Sequence, residues 1–73
     1  MHKHDKEILK LSKLCEHWAT HNDNHMESFE KWRAIAEEKA LINIVEKLDK
    51  AINMMKNCND YLLAAKKELD KLL

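Results

Sequence analysis

Three histidines occur at four-residue spacing in one short stretch of this chain. His17, His21 and His25 lie within CEHWATHNDNHMESFEKW, residues 15–32. In a helix, residues four apart project from the same face with their Cβ atoms about 6 Å apart, so two neighbouring imidazoles can reach one metal ion. The outer two histidines are about 12 Å apart along a helix axis. The ladder therefore predicts a two-imidazole site that needs a ligand from another segment.

Cys58 is the predicted additional ligand. If the chain turns back near residue 40, residues whose numbers sum to about 80 lie opposite each other, and Cys58 then faces Asn22, beside the histidines. Two imidazoles and a thiolate suit zinc, nickel or copper, with one coordination position left open. The candidate metal ligands are His17, His21, His25 and Cys58, of which His17 faces outward. Two nearby carboxylates, Glu16 and Asp23, are candidates for further ligands or for supporting hydrogen bonds.

The same histidines also have an interpretation without metal. HxxxH pairs arise by chance, and the paired cysteines or HExxH of established zinc signatures are absent from the sequence. His25 falls on a core-type position, His21 flanks it and His17 faces outward, which fits one packed and two surface histidines. His2 and His4 form an H-x-H start that is at most a weak metal site.

Composition restricts the classes of protein to consider. The 73 residues include no glycine and no proline, and tight turns, hairpins and phosphate-binding loops depend on them. The 13 basic and 13 acidic side chains balance, whereas a nucleic-acid binder has a basic excess. No apolar run approaches the roughly 18 residues of a membrane span, and the amino terminus lacks a signal-type apolar segment. We expect no nucleic-acid or membrane partner, and a cytoplasmic location where cysteines stay thiols.

Apolar residues recur at intervals of three and four in two long runs, which predict two helices with heptad seams. The first run is Ile8, Leu11, Cys15, Trp18, Asn22, His25, Phe29, Trp32 and Ala36. The second is Ile44, Leu48, Ala51, Met55, Cys58, Leu62, Ala65, Leu69 and Leu72. Both cysteines and both tryptophans are thereby predicted to be packing residues.

The first seam, continued forward, reaches polar residues at Lys39 and Asn43, so its phase breaks between Glu37 and Leu41. We interpret this break as a turn. The sequence predicts one all-α domain over residues 1–73, with a helix at about 5–38, a turn at about 39–41 and a helix at about 42–72. An alternative splits the first helix at Asn22-Asp23-Asn24, which favour caps and turns.

Two helices joined by a short turn form a long antiparallel hairpin with much apolar surface left wet. Further apolar residues lie outside the seams, among them Leu9, Leu14, Ile35, Leu41, Val45 and Ile52. Dimerisation into a four-helix bundle would cover them, so we expect a homodimer. Because the turn has no breaker residue, a chain that runs through Ala40 into an extended or swapped dimer is the alternative.

The residues Glu16-His17-Trp18, His21-Asn22 and His25 read as H-W-x-x-H-N-x-x-H. This resembles a small, uncharacterised prokaryotic family of helical-hairpin proteins with that signature. The likeness runs from about Leu14 to the carboxyl end and includes the Asn59-Tyr61-Leu62 region. Members carry a glycine near the hairpin turn, where this chain has Lys39-Ala40-Leu41. The resemblance implies the fold and brings no activity.

Catalytic signatures are absent from the sequence. It has no nucleophile elbow, no HExxH and no paired carboxylates in an apolar frame, and Glu16 and Glu27 do not fit the E-x-x-H spacing of di-iron bundles. The sequence therefore predicts a non-enzymatic, self-associating helical module with a His/Cys transition-metal site. The alternative is a metal-free helical protein-interaction or assembly module that uses Met26, Met54, Met55 and the tryptophans.

Overall fold

The computed structural model describes residues 5–73, which form two long helices packed side by side. Helix α1 spans Lys6–Glu38 and helix α2 spans Ile42–Lys71, and the described residues include no strand. The hairpin is 56 Å long, and its Cα radius of gyration is 16.7 Å, against about 11 Å for a compact domain of this length. The prediction of an all-helical pair of packed helices is confirmed, and the molecule is a rod.

Helix α1 begins at a side-chain cap. The Asp5 carboxylate accepts hydrogen bonds from the backbone N–H groups of Glu7 and Ile8, at 2.9 and 3.3 Å, which satisfies two donors that a helix start leaves without partners. The helix then continues through Asn22-Asp23-Asn24 without interruption. The alternative that splits it there is therefore wrong.

The turn closes without glycine. The N–H of Leu41 donates to Ala36 and the N–H of Ala40 donates to Glu37, both at 3.0 Å, the pair of bonds that defines a Schellman ending. This ending places Ala40 at φ 58°, in the left-handed region where a Cβ costs about 1–2 kcal/mol. The chain accepts that strain and turns back, so α1 and α2 pack on each other rather than joining as one extended helix.

One row of each predicted seam lies between the helices as expected. This inner row comprises Ile8, Cys15, Asn22, Phe29, Ala36, Leu48, Met55, Leu62 and Leu69, all buried or half-buried. The other predicted row, however, is exposed on both helices. Its place is taken by residues one position later, which form the second row: Ser12, Ala19, Met26, Arg33, Val45, Ile52, Asn59 and Lys66.

The prediction that the tryptophans, His25 and Cys58 pack between the helices is therefore wrong for the single hairpin. Trp18 is 43% exposed and Trp32 is 57% exposed, and both His25 and Cys58 are on the surface. Cys15 alone of the two cysteines is buried, and both are free thiols. The physical reason is that both choices of row keep intervals of three and four. Polar contacts between the helices select the one that forms.

Each helix is rotated by one residue relative to the predicted packing, and this rotation gives the hairpin two unlike flanks. The polar flank consists of four cross-helix pairs, Ser12–Asp70, Glu16–Lys66, Asp23–Asn59 and Arg33–Asp49. The apolar flank consists of the displaced row, Leu11, Trp18, His25, Trp32, Ile44, Ala51, Cys58, Ala65 and Leu72, all exposed. Equivalent heptad positions of two antiparallel helices lie on the same side of the pair, so each flank combines residues from both helices.

Candidate metal centre and binding flanks

The histidine ladder forms as continuous contacts along α1. The rings of His17 and His21 stack with centroids 6.3 Å apart, and those of His21 and His25 meet edge-on at 4.6 Å. Phe29 continues the series, 6.3 Å from His25. All three histidines are exposed. Their four-residue spacing on one helix is sufficient to produce this arrangement.

The His21–His25 pair has the geometry closest to that of a metal site. Their Nε2 atoms are 3.0 Å apart, so without metal one ring donates a hydrogen bond and the other accepts it. Two bonds of about 2.0–2.1 Å to one zinc ion, at an angle of about 90–110°, hold the nitrogens about 2.8–3.4 Å apart. The pair therefore already has the spacing of two ligands to one ion. His17 does not join it through a hydrogen bond.

Cys58 lies where the turn position predicts it, beside Asn22. The amide nitrogen of Asn22 is 3.7 Å from the Cys58 sulfur. The thiol is exposed and belongs to the apolar flank, as does His25, and His21 borders that flank. Within the described residues, no three His, Cys, Asp or Glu side chains converge closely enough to hold a metal ion. One hairpin thus supplies an imidazole pair and, separately, a thiol on the same flank.

The two carboxylates considered as further ligands point elsewhere. Glu16 pairs with Lys66 at 3.7 Å, and Asp23 accepts a hydrogen bond of 2.8 Å from Asn59. Both therefore belong to the polar flank, whereas His25 and Cys58 lie on the apolar flank. His2 and His4, the other histidines considered, lie outside the described residues.

A buried amide network joins the helices at mid-length. Asn59 is buried, its amide nitrogen donates to the Ala19 carbonyl at 3.2 Å and to Asp23 at 2.8 Å, and its oxygen accepts from Asn22 at 2.9 Å. Every hydrogen-bonding group of the Asn59 side chain therefore has a partner, and a sliding of one helix along the other would break all three bonds. The network fixes the register of the hairpin.

Ion pairs near each end of the polar flank reinforce this register. Arg33 donates to Asp49 through Nε at 2.6 Å and also holds Glu37 at 2.8 Å. The hydrogen bond from Arg33 lowers the pKa of Asp49, and the same bond raises the pKa of Arg33. Toward the other end, hydrogen bonds from Lys66 and from Ser12 lower the pKa of Asp70.

Sequence reasoning missed the four second-row polar residues that make these contacts, Ser12, Arg33, Asn59 and Lys66. A signal for them was present. Each has a complementary polar partner on the other helix, and the two numbers of every such pair sum to 82. That constant sum is what antiparallel pairing requires, and it separates the second row from the exposed one.

The apolar flank presents large side chains to solvent. Leu11, Trp18, Trp32, Ile44 and Leu72 are each more than 40% exposed, and Met54 and Tyr61 beside them are 70% and 78% exposed. By contrast, the buried apolar side chains of the described residues are few, namely Cys15, Ala19, Met26, Ala36 and Ile52. More large apolar side chains thus lie on the surface than in the core, which is the pattern of a binding surface.

Comparison with known proteins identifies a family. A family model described as a domain of unknown function (DUF8180) matches residues 11–69. No curated protein and no solved structure matches the chain. The family model covers most of the chain, which therefore belongs to the DUF8180 family.

Neither helix in the described part of the chain has a stretch both long and apolar enough to cross a membrane.

Proposed function

From this family membership, which brings no activity, and from the geometry of the hairpin, we propose a non-enzymatic, self-associating helical module that binds a transition-metal ion. The ligands are His21, His25 and Cys58, and the surface of self-association is the apolar flank. One observation carries the proposal: an imidazole pair with 3.0 Å between its Nε2 atoms lies at the edge of an exposed apolar surface that also holds a thiol.

The donor set determines which ions suit the site. Imidazole nitrogens and a thiolate favour zinc, nickel and copper over calcium or magnesium, which prefer oxygen ligands. Binding through both Nε2 atoms requires the ring that donates the shared hydrogen bond to carry its proton on Nδ1 instead, and it displaces the proton of the Cys58 thiol, so it is coupled to the release of a proton. A reducing compartment such as the cytoplasm keeps this cysteine available as a ligand.

The surface of the hairpin supports self-association. Its accessible area is 5861 Å², whereas a compact monomer of 8.7 kDa exposes about 4,700 Å². The excess of about 1,100 Å² is comparable to the roughly 800 Å² that each partner buries in a stable protein interface. A second copy packed on the apolar flank would reduce this exposed area and produce a four-helix bundle.

Calorimetric titration of tag-free protein with zinc, nickel and cobalt tests the metal site. We expect His25→Ala to abolish tight binding, because one imidazole and one thiolate do not fill a coordination sphere. His17→Ala is the matched control, since it removes an exposed histidine of the same ladder that lies outside the close pair. Binding should also weaken in acid, because the ligands must lose their protons.

Two results would contradict the metal site. One is binding no tighter than about 1 mM, and the other is an equal loss of affinity in His17→Ala and His25→Ala. Sedimentation equilibrium at micromolar concentration tests self-association separately. A stable monomer in the presence and absence of metal would refute that part of the proposal.

The alternative function is a metal-free helical interaction module. It is favoured by the exposure of Met54 and Tyr61, which enlarge the apolar flank on the α2 side. Met26 is buried and Met55 is half-buried between the helices, so neither is available to such a partner. This alternative predicts a dimer whose association is the same with and without zinc and is unchanged by His25→Ala.

A further inference from the structure

We infer that each metal site is built by two chains. In this arrangement a second copy packs its apolar flank on the first with both turns at the same end, so that His21 and His25 of one chain meet Cys58 of the other. The inference rests on the proposed self-association and metal binding. It goes beyond them by specifying the packing of the copies and the chain that supplies the thiolate.

The first argument concerns height along the rod. The four cross-helix pairs show that residues of α1 and α2 at the same height have numbers that sum to 82. On the apolar flank, Leu11 and Leu72, Trp18 and Ala65, His25 and Cys58, and Trp32 and Ala51 are pairs whose numbers sum to 83. Each pair therefore lies at one height to within a residue, or about 1.5 Å.

The second argument concerns size. A two-fold axis parallel to the helices leaves every height unchanged and places α1 of one copy on α2 of the other. Each exposed tryptophan then faces an alanine, Trp18 on Ala65 and Trp32 on Ala51. Large side chains opposite small ones fill the space between layers at the density of a protein interior. In the same register His25 faces the partner's Cys58.

The opposite orientation fits less well. Placing the turns at opposite ends packs α1 on α1, which sets the row with both tryptophans against itself. It packs α2 on α2, where Ala51, Cys58 and Ala65 would leave a gap. Charge does not oppose the same-end packing, because the apolar flank contains no charged side chain and the chain has a formal net charge of zero.

Disulfide formation between two different chains tests the packing. Both chains carry Cys15→Ala. The first keeps Cys58, and the second carries His25→Cys and Cys58→Ala together with a mass tag. We expect a cross-link between the two chains when they are mixed in chelator and oxidised mildly, because facing positions come within the 4.4–6.8 Å Cα separation of disulfides. When the first chain is oxidised alone, its Cys58 should remain a free thiol.

The control replaces His25→Cys in the second chain by Asn24→Cys, an exposed neighbour on the outer side of α1, and should give no cross-link. A disulfide between two copies of the first chain, with none in the mixture, would overturn the inference, because that result requires α2 to face α2. Sedimentation of the same samples separates this outcome from failure of the proposed function, which would leave only monomers.

Complementation tests the sharing of ligands. His25→Ala protein and Cys58→Ala protein should each bind zinc weakly as homodimers. A mixture that has exchanged subunits should regain tight binding, because every mixed dimer keeps one intact site made of His21 and His25 from one chain and Cys58 from the other. One tight site per mixed dimer, or about one in every two dimers at random exchange, is the expected result. No gain over the separate variants would show that all ligands come from one chain.

Discussion

The two flanks of the hairpin differ in what they do for a single chain. The polar flank holds α1 and α2 together through four cross-helix pairs and carries the hydrogen bonds that fix the register. The apolar flank, within the described residues, contributes one weak polar contact between the helices, from Asn22 to Cys58 at 3.7 Å, and exposes its large side chains. The polar flank therefore stabilises the single hairpin, whereas the apolar flank leaves large side chains exposed to solvent.

This difference explains why the apolar pattern of the sequence is wider than one partner helix requires. A helix in a two-stranded pair buries two rows, whereas helices in bundles bury three. Here the inner and second rows are covered by the other helix, and the row of the apolar flank is left over on both helices. A leftover row on each helix, on the same side, is what the inner face of a four-helix bundle looks like before its second layer is added.

The largest expected effect comes from placing a charge on the apolar flank. Trp18→Glu should weaken self-association by about thirty-fold or more, since interface tryptophans commonly contribute 2 kcal/mol or more and a buried unpaired carboxylate adds a penalty. Sedimentation equilibrium measures the dimer constant, and far-UV circular dichroism checks that the variant remains helical.

Leu63→Glu is the matched control for Trp18→Glu. Leu63 is 48% exposed and Trp18 is 43% exposed, but the heptad position of Leu63 puts it on the side of the polar flank. Equal weakening by both variants would contradict the assignment of the interface to the apolar flank. The loss would then depend on how exposed the residue is and not on the flank where it lies.

The next effect concerns the polar flank. Asn59→Ala should destabilise the fold by about 2 kcal/mol, because it leaves the Ala19 carbonyl, Asp23 and Asn22 without their buried partner. Urea unfolding followed by circular dichroism measures the change. Asn57→Ala removes an exposed asparagine of the same helix and should change stability by a few tenths of a kcal/mol at most. Equal losses in the two variants would mean that the network does not hold the register.

The comparison also separates what the sequence could predict from what it could not. The helices and the contact between His21 and His25 depend on residues three or four apart, so local spacing was enough. Whether α1 turns Trp18 or Ala19 toward α2 depends on partners about 40 positions away, such as Asn59. The two rows have equal spacing, and the row with tryptophans is the more hydrophobic, so apolar pattern alone favours the wrong one for a single chain.

Cys58 illustrates the same limit at the candidate site. Its height beside Asn22 follows from the position of the turn and was predictable. Its orientation depends on the rotation of α2, which Asn59 and Lys66 determine through contacts with α1. The sequence therefore predicts the position of Cys58 along the hairpin, level with the histidine pair. It does not predict whether the thiol turns toward His21 and His25 of the same chain.

A smaller effect is expected at the turn, which belongs to neither flank. Ala40→Gly should stabilise the hairpin by about 1 kcal/mol, because glycine adopts the observed φ of 58° without the steric cost of a Cβ. Lys39→Gly is the control, since Lys39 has φ −89° and glycine there adds only flexibility to the unfolded chain. Thermal unfolding should rank the variants as Ala40→Gly, wild type and Lys39→Gly, and the reverse order would refute the left-handed turn.

The smallest effect concerns the pH dependence of the polar flank. The hydrogen bond from Arg33 lowers the pKa of Asp49 in the folded chain, so the unfolded chain binds this proton more readily. The resulting stabilisation is present above the ordinary aspartate pKa of about 3.9 and is lost as the pH falls through the lower folded value. Asp49→Asn should therefore be less stable than wild type at pH 7, and the difference should shrink toward pH 3.

Asp60→Asn, which removes the same charge from an exposed position of α2, is the control for net charge. Urea midpoints at the two pH values measure both variants, and a gap for Asp49→Asn that stays constant with pH would show that the ion pair with Arg33 adds nothing to the polar flank.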